Sequence, residues 1–139
     1  MMKNKAKPLL VILDKNIHHI LLSSRRKTYH EGFLSAVGGE DFDAEKDEVA
    51  TILNEMNIHL EDVDMVHLMD VTHYLEEEES VKLYVLRLNG VDPALERKHL
   101  FWIPIQHLSA CGGLLIGSGF EHLLIEYAVF LVVNGKIHW

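Results

Sequence analysis

Two glutamates on one expected helix have the type and spacing for chemistry. Glu48 and Glu55 stand seven residues apart, two helical turns, so they fall nearly on one face with Thr51 between them. That face borders an apolar stripe, which sets the acids at the edge of a partly sheltered groove, and carboxylate oxygens are the donors that hard divalent cations take. The plain alternative is a solvated acidic face, the commonest fate of helix glutamates. Arg25 and Arg26 form a second group: at a strand end, a guanidinium fork grips a phosphate in two places, and without a ligand they are two surface bases. Gly38 and Gly39 let a backbone approach a diphosphate closely, though a tight turn explains them as well.

Other residues carry weaker signals. None of the ten histidines forms a His-x-His or His-x-x-x-His pair. His18 and His19 are adjacent on an expected strand and point to opposite faces, while His67 and His73 would share a face about 20 Å apart, too far for one metal. Cys111 reads as a small buried thiol or a loop residue before it reads as a nucleophile. Gly117-Ser118-Gly119 lacks the second strand and acidic residue of a dinucleotide-binding unit. Glu76 to Glu79 are most simply a solvated strand connection.

The elements that must position these groups follow from periodicity. Leu9 to Leu13 and Ile17 to Ser23, separated by Asp14-Lys15-Asn16, predict a hairpin after a short tail over residues 1–7. Gly32 to Gly39 predicts a loop with a short extended piece. From Asp43 to Asn57 the period becomes helical, with Val49, Ile52, Leu53 and Met56 on one face and acids crowding the first turn. Val63 to Leu75 and Val81 to Leu88 predict an antiparallel strand pair, Leu100 to Ile103 a short strand ended by Pro104, and Phe120 to Val133 a closing helix. Strands, helix, strands, helix predict an α/β (α+β) fold with a mixed sheet between helices, and 139 residues suit one domain.

Composition bounds the partners. A net charge of −8 repels polynucleotide backbones, so no polynucleotide partner is expected, while a small phosphate ligand can still use a local basic pocket. The apolar stretch Leu123 to Val133 is interrupted by Glu126 and falls short of the roughly 20 residues that span a bilayer, so no membrane partner is expected. A single cysteine excludes an internal disulfide and suits a reducing, cytoplasmic setting.

Three segments, in order, resemble the Nudix hydrolase superfamily. Ile20 to Arg26 is similar to a strand ending in basic residues. Gly32-Phe33-Leu34-Ser35-Ala36-Val37-Gly38-Gly39 follows the approach G-x-W-x-x-P-G-G, with Leu34 for the aromatic and Val37 for the proline. Phe101 to Leu108 resembles W-x-P-x-x-x-L. The family's box, G-x5-E-x7-R-E-U-x-E-E-x-G-U with U a bulky aliphatic, aligns through its tail with Asn54-Glu55-Met56-Asn57-Ile58, which puts Ala50 and Thr51 on the R-E pair. Of the three helix carboxylates Glu55 alone is present, and the loop after Gly39 is about three residues shorter than the pattern.

The resemblance implies an α/β/α sandwich and hydrolysis of a diphosphate linkage in a nucleoside diphosphate derivative, with Mg²⁺ or Mn²⁺ on the box helix. On this reading Glu55 and Glu48 are the catalytic and metal-holding residues, with Glu45, Glu40 or Asp41 as further oxygen donors, and Arg25, Arg26, Gly38 and Gly39 bind a nucleotide-type small molecule. The alternative is a catalytically inactive Nudix-like module that binds a nucleotide or a protein partner. A third class, an interaction protein, would expose Phe120, Leu124 and Val132, and the outer face of the last helix is equally a candidate homodimer contact.

Overall fold

The computed structural model describes residues 7–23, 35–38, 48–74, 78–89, 100–108 and 119–139. The first apolar run becomes strand β1 (Lys7–Leu13). Successive strand side chains point to opposite faces, so an all-apolar run buries both. Leu9, Val11 and Leu13 enter one core cluster, and Leu10 and Ile12 the other.

Five further strands follow: β2 (His19–Ser23), β3 (Ser35–Gly38), β4 (Val63–Tyr74), β5 (Glu78–Leu88) and β6 (Leu100–Pro104). They form one mixed sheet in the order β4-β5-β1-β3-β2-β6, with β5 parallel to β1 and the other pairings antiparallel. Helix α1 (Glu48–Glu55) covers one face through Ile52 and Leu53, and helix α2 (Gly119–Val133) covers the other through Leu124, Ile125, Ala128, Val129 and Val132. This is the expected α/β/α sandwich. No helix among the described residues is long and apolar enough to cross a membrane.

Several boundaries depart from expectation. The second strand begins at His19 rather than Ile17, because Ile17 takes φ 57° in the connection. There Asp14 Oδ1 accepts the backbone N–H groups of His18 (2.7 Å) and His19 (2.9 Å), so His18 is not a strand residue. Strand β5 starts at Glu78 rather than Val81, since pairing with His73 and Tyr74 prolongs the ribbon, and Glu78 and Glu79 therefore lie in a strand. Within β4 the register shifts between His67 and Met69, leaving Leu68 as the extra residue of a bulge. Val66 before the bulge and Met69 and Val71 after it all pack on the α2 side, so positions 67 and 73 no longer share the two-residue alternation. Leu124 and Val132, the expected exposed positions of an interaction protein, are buried. The helix instead turns Leu123, Tyr127, Phe130 and Val133 outward.

Both helices end in the same way. At α1 the Ile58 N–H bonds the Leu53 carbonyl (2.9 Å) and the Asn57 N–H the Asn54 carbonyl (3.0 Å). At α2 the Lys136 N–H bonds the Leu131 carbonyl (2.8 Å) and the Gly135 N–H the Val132 carbonyl (3.1 Å). This is the Schellman arrangement, whose penultimate residue must be left-handed. Asn57 (φ 62°) and Gly135 (φ 69°) supply it.

Candidate functional site

Strands β1 and β2 are antiparallel, and near their connection they pair directly, Ile12 with Leu21 and Leu13 with Ile20. Further out β3 comes between them. It enters alongside β2, Ser35 opposite Ser23 and Ala36 opposite Leu22, and leaves alongside β1, Val37 opposite Leu10 and Gly38 opposite Leu9. A strand antiparallel to two mutually antiparallel neighbours has to reverse, so the chain dips into a V-shaped gap and comes back out between Ala36 and Val37. The chain therefore leaves β2 after Ser23 and β3 after Gly38 at the same open end of the V.

Few of the sequence-predicted residues are themselves described. Arg25 and Arg26 come two and three positions after Ser23, and Gly39 directly after Gly38; all three lie outside the described residues, as do Glu40, Asp41 and Glu45. Gly38 closes β3. Glu48 and Glu55 are the first and last residues of α1, about 10 Å apart along its axis, and their side chains are not described. Carboxylate oxygens are the donors that Mg²⁺ and Mn²⁺ take. Among the described residues no group of three or more His, Cys, Asp or Glu is placed to hold a metal. Cys111, Gly117 and Ser118 lie outside the described residues.

The packing of α1 matches the aliphatic positions of the box. Ile52 and Ile58 are fully buried, and Leu53 and Met56 join them against Leu10, Ile12, Leu21, Leu86, Leu88 and Leu100. Asn57 stands where the family pattern has glycine, and its positive φ is the conformation that favours glycine there.

One group at the open end escaped the sequence reading. His67 lies opposite Tyr84, which lies opposite Leu10, and the His67 and Tyr84 rings stack with centroids 4.8 Å apart at 27°. His67 Nε2 is 2.7 Å from Asp70 Oδ1, and Asp70 lies opposite Lys82. Tyr84 packs against the α1-side core, so this ledge flanks the open end on the sheet face that α1 covers. The bulge at Leu68 is what brings positions 67 and 70 to one side. Without it an i, i+3 pair on a strand points to opposite faces, so spacing alone could not reveal the group.

Among the described residues, the carboxylates with displaced pKa values lie at the opposite end of the sheet. Burial raises the pKa of Asp14, but the hydrogen bonds from the His19 N–H, the His19 ring and the His18 N–H outweigh it and hold the carboxyl below the usual aspartate range. Arg87 lowers Asp64 through a 2.6 Å hydrogen bond, with Asn89 assisting, and the Arg87 guanidinium lies 4.8 Å from the centre of a Trp139 ring. Asp14 leaves β1 at the closed end of the V, and Arg87 lies opposite Leu13 there. These groups fasten the scaffold rather than serve the open end.

No family model matches the sequence, and no curated protein matches it. Solved structures do. The E. coli dihydroneopterin triphosphate pyrophosphohydrolase superimposes with a TM-score of 0.68 at 16% identity, over 94% of this chain and 99% of that one. The C. elegans Ap4A hydrolase gives 0.65 at 21%, over 93% and 99%. The NUDIX domain of Shewanella oneidensis NrtR, complexed with ADP ribose, gives 0.69 at 16%, over 95% and 90%. Coverage of nearly the whole chain and of each neighbour shows that this protein has a Nudix-like fold.

Proposed function

We propose that this chain is a Nudix-type pyrophosphohydrolase that cleaves a diphosphate linkage in a nucleoside diphosphate derivative, with Mg²⁺ or Mn²⁺ as cofactor. The main support is the reversal of β3, which brings Ser23, the end of β2, and Gly38, the end of β3, to one end of the sheet; Arg25, Arg26 and Gly39 follow these residues in the sequence. Structural neighbours named for pyrophosphohydrolase and Ap4A hydrolase activity, and one complexed with ADP ribose, support the substrate class.

In this reading Arg25 and Arg26 bind phosphate oxygens and orient the diphosphate, and the Gly38-Gly39 backbone allows the close approach. Glu55 and Glu48 are the residues that would hold the ion. A divalent ion held there would supply charge neutralisation at the phosphates and activation of a water. The protein works in a reducing, cytoplasmic compartment.

The test is calorimetric titration of Mn²⁺ and Mg²⁺ into wild type and Glu55→Gln, with phosphate release measured over a panel of nucleoside diphosphate derivatives. Wild type binds metal and turns over; Glu55→Gln loses both by about a hundredfold or more. Absence of metal binding and turnover in wild type overturns the hydrolase and leaves the non-catalytic module, which would hold its nucleotide or protein partner equally well in chelator.

A further inference from the structure

Helix α2 is apolar nearly all round, a composition that belongs to a helix buried on every side. Its inner face meets the sheet through Leu124, Ile125, Ala128, Val129 and Val132. Its outer face is uncovered, with Leu123 70%, Tyr127 46%, Phe130 58% and Val133 59% exposed. One ionisable pair interrupts this stretch, His122 Nε2 facing Glu126 Oε2 one turn on, with the Glu126 side chain 41% exposed. From Tyr127 to Val133 there is no charged side chain.

We propose that this face is the interface of a homodimer in which α2 packs antiparallel against α2 of a second copy. Area is the first argument. The four exposed side chains present on the order of 500 Å² together, the upper range of patches seen on monomers. A two-fold interface buries the same patch on both copies, so it reaches about 1,000 Å², the level a specific interface should clear. The second argument is self-complementarity. Leu123, Tyr127 and Phe130 follow at steps of four and three, a spacing that reads almost the same in reverse. Antiparallel docking sets Tyr127 against its own copy on the axis and Leu123 against Phe130 of the other chain, smaller side chain facing larger. The third is charge: a chain of net charge −8 would recruit a basic partner through an acidic face, and this stripe carries a single acid, Glu126, paired with His122 of its own helix.

The test is sedimentation velocity on the full chain from 1 to 100 µM, with circular dichroism to check the fold. Wild type is expected to dimerise in this range, more tightly at higher salt because screening relieves repulsion between like-charged copies. Leu123→Lys and Phe130→Glu each place a charge in the interface twice and weaken self-association about a hundredfold or more. Mixed together, the two variants should recover the dimer, because the antiparallel register brings the introduced lysine of one chain to the introduced glutamate of the other and leaves the second contact wild type. A wild type that stays monomeric at 100 µM overturns the proposal, whether another segment of this chain or a different protein covers the stripe. So does a pair of variants that remain dimeric alone, or fail to re-form a dimer when mixed while both are folded.

Discussion

At residues 57 and 135 the usual ranking of glycine and alanine should invert. Inside a helix glycine is worse than alanine by about 1 kcal/mol. At the left-handed residue of a Schellman end the order reverses, because a Cβ there meets the backbone at a cost of about 1–2 kcal/mol. For Gly135 the added Cβ meets nothing within 4 Å, so the conformational term stands alone. Subtracting the roughly 0.4–1 kcal/mol by which alanine restricts the unfolded chain leaves a net loss of about 1 kcal/mol for Gly135→Ala. With an unfolding entropy of about 2.1 cal/mol/K per residue, that lowers Tm by about 3 °C in a chain of 139 residues. Asn57 is exposed and its side chain packs against no core, so the same arithmetic applies with a different starting point. Asparagine tolerates positive φ better than alanine does, so Asn57→Ala loses about 1 kcal/mol while Asn57→Gly stays within about 0.5 kcal/mol of wild type. Urea unfolding followed by circular dichroism measures all three. An Asn57→Ala as stable as wild type, or an Asn57→Gly less stable than Asn57→Ala, would refute the reasoning, since either requires residue 57 to be ordinary helix.

Other consequences are as direct. Asp14→Ala removes the acceptor of two backbone N–H groups and costs about 1 kcal/mol near neutral pH, by analogy with loss of a helix N-cap. Because the folded carboxyl titrates below its unfolded value, the contribution is complete above the ordinary aspartate range and is lost as pH falls through the folded value, so wild type and variant converge in acid-melt curves. Leu53→Ala removes a fully buried side chain of the core cluster that also holds Ile58, and costs about 2–5 kcal/mol in denaturant unfolding. His67→Ala gives up only a half-exposed stacked ring, less than about 1 kcal/mol of stability. If its ledge lines the substrate end, KM rises while kcat holds.

What the sequence revealed and what it hid divide along a physical line. The period of Val49, Ile52, Leu53 and Met56 exposes α1 because one face is apolar and the other is not. Helix α2 is visible as a helix, yet its buried face is not, since a helix apolar all round gives no contrast between faces; Leu124 and Leu123 differ in environment and not in kind. The β1 run announces a strand buried on both faces but leaves its neighbours open. The reversal of β3 and the extra residue Leu68 are properties of pairing, set by strands far away in the chain. The second of these hides the His67, Asp70 and Tyr84 group, and the first carries the argument for where a substrate would bind.

The same division runs through the box motif. Its structural positions are kept: Ile52 and Ile58 are fully buried, and Asn57 takes the left-handed conformation that stands in for glycine. Its charged positions differ: Ala50 is half-buried and Asn54 exposed, and neither carries the charged side chain of the pattern. A packed core constrains what it touches and is indifferent to what points into solvent. The fold can therefore persist whatever stands at the exposed positions, so likeness of fold and presence of activity are separate quantities in this protein. Glu55 is the one helix carboxylate that the aligned pattern shares with this sequence. Metal binding by wild type and its loss in Glu55→Gln is thus a measurement of the chemistry alone, with the scaffold already accounted for by Leu10, Ile12, Leu53 and their neighbours.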